Sequence, residues 1–353
     1  MFKDQSLAQA LMRAPIALSV TLACLGSAQA AENLAAPAAA PAPVIAPATP
    51  TESAAQAVAP APQELTEVVI HATEPRFVMP TRRDRIGRIW APVYINGQGP
   101  FRLVLDSGAN HSGITGQVAA TLGLPADSTQ QVMLRGVTGS AAVPTVRVDS
   151  FVVGDVAEGV ERLPIVTDAL GGAEGVLGTD GMQNRRIFID FRHDLISITR
   201  SRAEQAANGY RVIPFETMRG NLVVVEATVG GIRTHAIIDT GGQVTIANLA
   251  LRQALEHRKA ELLGQVTHIE GVTTDIQDAD ALNTPPLRME GIDETGSTLE
   301  IRYHDVNFGD MRIFEHWRMT DQPAMLVGMD ALGLLDVLII DYRRHELQIR
   351  MRD

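Results

Sequence analysis

Two short segments carry the chemistry in this chain. Asp106-Ser107-Gly108 and Asp239-Thr240-Gly241 each place a carboxylate directly after three apolar residues, Leu103-Val104-Leu105 and Ala236-Ile237-Ile238. A carboxylate at the end of a buried strand, followed by a hydroxyl and a glycine, sits on a tight turn. The glycine lets the backbone approach closely and present N–H groups to the carboxylate. Two such turns facing each other bring two carboxylates together. Both cannot ionise at that range, so they share one proton. The ionised member can take a proton from a water held between them, and the protonated member can give its own to a carbonyl oxygen. That is hydrolysis of an amide with neither a metal nor a covalent intermediate. The hydroxyls of Ser107 and Thr240 can cross the pseudo-two-fold axis and hold the opposite turn. Ala109 and Gly242 complete the two loops.

The elements that must position these turns also occur twice. Val93-Tyr94-Ile95-Asn96-Gly97 precedes the first turn, and Ala227-Thr228-Val229-Gly230-Gly231 precedes the second. Val176-Leu177-Gly178-Thr179-Asp180 corresponds to Leu326-Val327-Gly328-Met329-Asp330, and Ile189-Asp190-Phe191-Arg192 to Ile340-Asp341-Tyr342-Arg343. Between these anchors, Gly136-Val137-Thr138 corresponds to Gly271-Val272-Thr273, and Val153-Gly154-Asp155 to Phe308-Gly309-Asp310. An internal repeat of this order implies one supersecondary plan used twice. The second copy is the longer one, and its extra length lies after Gly271.

Short apolar runs punctuated by Gly, Asn and Asp predict strands throughout. Residues 87–95 read as a strand ending at the Asn96-Gly97 hairpin turn, with Phe101 to Leu105 as the return strand. The pattern predicts one helix, from Leu249 to Leu263, with a thin apolar stripe at 251, 255, 262 and 263. The two Gly-Val-Thr segments, 136–138 and 271–273, suit flap hairpins over a cleft. Asp180 and Asp330 read as caps of short helices, and Asp190 and Asp341 as solvent-facing strand residues. His111 reads as the owner of a local hydrogen bond. The acidic stretch 275–300 reads as a solvated loop with an extra hairpin, or alternatively as a lid.

These motifs resemble the aspartic peptidases of the pepsin and retropepsin clan, and most nearly its bacterial retropepsin-like group. The resemblance rests on Asp-Ser-Gly-Ala-Asn at 106–110, on Val-Leu-Gly-Thr-Asp at 176–180 and on the second copy. It runs from about residue 76 to 350. It implies an all-β fold of two pseudo-symmetric closed β-barrel lobes of the acid-protease type, with a few short helices. It also implies that each hydrophobic-hydrophobic-Gly element packs beside its catalytic loop. Asp106 and Asp239 correspond to the catalytic aspartates of that clan, and Ser107 and Thr240 to its structural hydroxyls. The expected activity is cleavage of a peptide or protein substrate. A peptide-binding or envelope-interaction module without catalysis is the alternative. The chain differs from retropepsins in carrying both halves, so a monomer suffices. It differs from pepsins in lacking a tyrosine in either Gly-Val-Thr segment and in having Gly242 where Ala or Ser is usual.

Composition bounds the remainder. A net charge of −11 argues against nucleic acid or an anionic membrane surface as the main partner. No apolar run is long enough to span a bilayer. The nine histidines show no metal-ligand spacing, so neither a metal nor a cofactor is expected. Lys3 and Arg13, an apolar stretch from Ala14 to Leu25 and Ala28-Gln29-Ala30 read as an export signal covering 1–30. The expected location is periplasmic or secreted. Lipid attachment at Cys24, the one cysteine, is the second reading; it has Thr21 where a leucine is expected. An Ala/Pro-rich spacer follows over 31–65. The lobes are expected at 66–205 and 206–353.

Overall fold

Hydrophobic alternation sets the first sheet. Trp90–Ile95 buries every second residue, Ala91, Val93 and Ile95, and turns at Asn96-Gly97, both with positive φ, into Gln98–Leu105. The last three residues of that return strand, Leu103, Val104 and Leu105, are all buried. In this computed structural model the strand lies between Trp90–Ile95, antiparallel, and Gly175–Leu177, parallel. Both of its faces are covered: Leu103 and Leu105 pack into the main core, and Val104 into a second cluster with Val166, Leu170 and Val176. A strand covered on both faces reads as a continuous apolar run rather than an alternating one. The structure describes residues 78–80, 88–154, 156–159, 161–168, 170–258, 264–292, 298–302 and 305–352. All lie within one compact unit, Ile70–Asp353. The export signal, Cys24, the spacer and Asp155 fall outside the described residues.

The second copy repeats the plan. Leu222–Val229 turns at Gly230-Gly231 into Ile232–Ile238, and Ala324–Val327 lies parallel to the return strand. A nine-stranded sheet thus carries the first Asp-containing turn and a ten-stranded sheet the second. A third sheet of six strands joins the copies. It is ordered Val78–Pro80, Leu195–Arg200, Arg185–Asp190, Leu335–Asp341, Glu346–Met351 and Arg211–Pro214. At its centre the terminal hairpins of the two copies pair antiparallel, Ile187 opposite Ile340 and Ile189 opposite Leu338. The fold is mostly β, as expected.

Among the described residues four short helices complete it: α1 (Gly116–Thr121), α2 (Leu249–His257), α3 (Arg312–Trp317) and α4 (Met329–Leu332). Asn248 caps α2 by accepting from the Leu251 N–H at 3.0 Å, and Leu251 and Leu255 form its buried stripe. Positions 262 and 263 lie outside the described residues. The acidic stretch after Asp275 supplies a flap strand, Ile276–Leu282, and then an edge hairpin. That hairpin pairs Leu287–Met289 with Leu299–Ile301 and joins the sheet at Ala227–Val229. Its described residues bury Leu287, Met289, Leu299 and Ile301 against the lobe rather than covering the cleft.

Two readings of aspartates are corrected. Asp190 and Asp341 are buried, at 8% and 0% exposure. Each ends its strand and folds its carboxylate over the following hairpin turn. Asp190 accepts from the N–H groups of Arg192 and His193, and Asp341 from those of Arg343 and Arg344. Strand alternation misplaced them because a turn acceptor follows the turn's geometry and not the strand's. Asp180 caps no helix among the described residues, and Asp330 stands in the first turn of α4, where it accepts from the Ala331 N–H, with Gly328 at the cap position. Each ties back to the loop after its copy's Asp-x-Gly turn, Asp180 to Ser112 and Asp330 to Thr245.

Candidate active site

Each Asp-x-Gly turn begins where its central strand ends. The Asp106 N–H donates to the Leu177 carbonyl at 2.9 Å, and the Asp239 N–H to the Val327 carbonyl at 3.0 Å. Each aspartate is thereby fixed to the neighbouring hydrophobic-hydrophobic-Gly strand. Gly178 and Gly328 then pass so close to the His111 and Val244 backbones, 2.5 and 2.6 Å from where a Cβ would stand, that no side chain fits at either position. Beyond the turn the same pairing recurs. The Ser112 hydroxyl accepts from the Gly178 N–H and donates to Asp180, and Thr245 does the same between Gly328 and Asp330.

The two turns hold each other through their hydroxyls. Ser107 Oγ donates to the Ile238 carbonyl at 2.7 Å, and Thr240 Oγ1 donates to the Leu105 carbonyl at 2.7 Å. Each hydroxyl also accepts from the opposite backbone, Ser107 N–H to Thr240 Oγ1 at 3.0 Å and Thr240 N–H to Ser107 Oγ at 3.1 Å. Four buried hydrogen bonds therefore fix the separation of the two aspartates. This brings the two carboxyls face to face, close enough for each to perturb the other. Gly108 and Gly241 are the residues that permit this approach. A methyl group on Gly108 would stand 2.7 Å from Asp239 Oδ1, and one on Gly241 would overlap the Asp106 carboxylate. At Gly242 a Cβ would stand 2.7 Å from Asp239 Oδ2, so the departure at this position follows from the close seating of that carboxylate.

The pair is electrostatically unequal. Burial pushes the Asp106 carboxyl well above the usual range, and the adjacent Asp239 charge and hydrogen bond push it further. Burial also raises Asp239. Opposing it are the Gly242 and Gly241 N–H groups, the hydrogen bond from Asp106 and the positive charge of Arg88. Both members are thus pushed toward the protonated form, Asp106 despite the Gly108 and Ala109 N–H groups, and the two titrate as one pair. Arg88, only 8% exposed and on the cleft wall, is a residue that motif reading missed. Nothing about an isolated arginine before a strand marks it in the sequence.

The aspartates lie at the base of a cleft of about 1190 Å³. Two hairpins cover it, Asp127–Arg135 with Ser140–Val148 and Gly264–Glu270 with Ile276–Leu282. Of their tip residues, Gly136, Val137, Gly271 and Val272 line the cleft, whereas Thr138 and Thr273 do not. The tips pack on each other: Gly136 faces Val272, and Gly271 faces Thr138. They also cross over. Val137 packs into the apolar cluster around Ile313, Phe314 and Trp317, and its carbonyl accepts from the Ile313 N–H at 3.2 Å. Val272 packs into the cluster of Val104, Val166 and Val176, and its carbonyl accepts from Thr167 Oγ1 at 2.8 Å. Each flap thus rests on the other copy. His111 is exposed on the cleft edge. Among the described residues no group of three His, Cys, Asp or Glu side chains is placed to hold a metal.

Residues 91–180 match the family model described as aspartyl protease. That segment includes the first Asp-x-Gly turn, the first flap and the first hydrophobic-hydrophobic-Gly element. No curated protein matches the chain. Among solved structures, basic 7S globulin from soybean is similar, at 10% identity, over 77% of this chain and 95% of that chain, with a TM-score of 0.46.

Proposed function

We propose that this chain, whose residues 91–180 match the aspartyl protease family, is an aspartic endopeptidase with Asp106 and Asp239 as its catalytic pair. The observation that supports the reading is the pair of buried carboxyls, held face to face by the Ser107 and Thr240 hydroxyls at the base of a cleft beneath two flaps. An extended peptide lies in the cleft with its scissile carbonyl over the pair. Asp239 takes a proton from a water held between the carboxyls, and the water oxygen bonds to the carbonyl carbon. Asp106 gives its proton to the carbonyl oxygen, so a neutral diol forms. On collapse, the proton on Asp239 passes to the nitrogen and the C–N bond breaks. A diol hydroxyl returns its proton to Asp106. The products are an acid and an amine, and the pair again holds one proton. Val104, Val176, Leu222, Ile246, Trp317 and Leu326 on the walls suit apolar residues beside the cut.

Because one chain supplies both turns, we read the working form as a monomer exported to the cell envelope and matured after Ala30. Intact mass of the native protein tests the maturation site, and sedimentation tests the monomer. The activity itself is tested by incubating the mature protein with a peptide library across pH, beside Asp106→Asn and Asp239→Asn. Cleavage by the wild type alone supports the proposal. Peptides retained uncut by all three proteins would identify a binding module instead.

A further inference from the structure

A second pocket, of about 430 Å³, opens beside the cleft and is cationic. Arg135, Arg219, Arg312, Arg318 and His316 line it, and the one carboxylate on its wall is Glu315. The arginines arrive from three separate places. Arg135 is the last residue of the first flap's outgoing strand, Arg219 stands in a turn with φ of 47°, and Arg312 and Arg318 begin and follow α3. Among the described residues none of the four guanidinium groups has an ion-pair or hydrogen-bond partner. In a chain of net charge −11 that carries 41 acidic residues, four convergent unpaired guanidiniums are not explained by composition. Like charges so placed repel, and the one carboxylate on the wall, Glu315, makes an ion pair with none of them. His316 feels the same field: burial, then Arg135 and Arg219, holds its imidazole below the usual range.

The pocket is continuous with the cleft, because Arg135, Arg219 and His316 line both. We propose that it is a specificity subsite for an acidic side chain of the peptide substrate, an Asp or Glu held by paired guanidinium contacts. This rests on the peptidase reading for the nature of the ligand. Three features favour a substrate carboxylate as the counterion. The guanidinium fork matches a carboxylate in geometry. The site lies within reach of a peptide extended from the catalytic pair. One of its arginines is also carried by a flap. A carboxylate seated there would bridge Arg135 to the α3 arginines and replace their repulsion with attraction. Acidic substrates would thereby favour the closed flap, and specificity and closure would share one contact.

The test separates recognition from hydrolysis. Immobilised Asp106→Asn protein is offered a random octapeptide library, and the retained peptides are sequenced. The same library is digested by the wild type. Retained peptides are expected to be enriched about tenfold or more in Asp or Glu at one position, with the enrichment falling as salt is raised. The same preference is expected at a fixed distance from the cut in the digest. Arg312→Gln and, separately, Arg135→Gln are expected to lose the enrichment while melting within a few degrees of the parent. Retention without acidic enrichment, or enrichment unchanged in both variants, overturns the proposal. Acidic enrichment in the retained fraction with no cleavage by the wild type sustains the subsite and removes the peptidase reading.

Discussion

The inequality of Asp106 and Asp239 has consequences at the scale of single residues. Asp106 titrates above the ordinary carboxyl range because burial and a neighbouring negative charge both disfavour its ionised form. Activity is therefore expected to fall as pH rises through that raised value. It is also expected to fall in stronger acid, where the pair gains a second proton, and the pH–rate profile of the wild type reads both limits. Asp106→Asn and Asp239→Asn are each expected to lower kcat by roughly 10²- to 10⁴-fold or more. The first should also change stability with a defined sign. A raised folded value means that Asp106 stabilises the native state fully below the unfolded carboxyl value of about 3.9 and loses that contribution as pH rises through the folded value. Asparagine does not titrate. The melting temperature of Asp106→Asn should accordingly gain on the wild type as pH rises from the unfolded value of about 3.9 toward the raised folded value, and equal or falling differences would contradict the burial argument. Gly241→Ala makes a steric case. Its methyl overlaps the Asp106 carboxylate, so a folded protein with activity reduced by about 10²-fold or more is expected in a peptide-cleavage assay.

At the scale of elements, the flaps are held by exchange. Val137 and Val272 each leave their own copy and pack into the apolar cluster of the other, each with one hydrogen bond from its host. Replacing either valine by serine removes apolar contact worth about 1 kcal/mol and leaves the backbone hydrogen bond in place. Val137→Ser and Val272→Ser are expected to raise amide exchange at 136–139 and 271–275 by about fivefold, and to raise KM more than they lower kcat. Both tips should loosen in either variant, because Gly136 packs on Val272 and Gly271 on Thr138. If only the substituted flap loosened, the tips would be acting independently.

At the scale of the molecule, the six-stranded sheet makes the two copies one structure. Its central seam includes a buried ion pair across the copies. Arg186 donates to Asp341 at 3.0 Å, with the carboxylate fully buried and also bonded to the Ser201 hydroxyl. Asp341→Ala leaves the Arg186 charge, 16% exposed, without that partner. A loss of roughly 3–5 kcal/mol is expected, read from the denaturant midpoint, and Arg186→Met/Asp341→Leu should recover only the part due to the unpaired charge, because Ser201 and the Arg343 and Arg344 N–H groups still lose their acceptor. Residues 78–200 expressed alone are expected not to fold, because their hairpin would leave unpaired the strand edge that Leu335–Asp341 now covers.

Much of the site was legible before any coordinates. Asp-x-Gly after a fully apolar run states that a carboxylate ends a strand buried on both faces, and its repetition states that there are two. The matched Val-Leu-Gly and Leu-Val-Gly elements named the neighbouring strands, and Asn96-Gly97 named a turn. These signals are local, set by backbone conformation and by alternation over a few residues. What the sequence could not state is which distant groups share a space. The sheet joining the two hairpins, the crossing of Val137 and Val272, the burial of Asp190 and Asp341 and the place of Arg88 all depend on contacts between residues far apart in the chain. Of the described helices, α4 is signalled only by the short-helix reading at Asp330, and α1 and α3, six residues each, are not signalled at all, because a helix so short shows no full apolar period. Charge shows the division most clearly: the chain reads as acidic throughout, and only its folding brings Arg135, Arg219, Arg312 and Arg318 to the rim of one pocket.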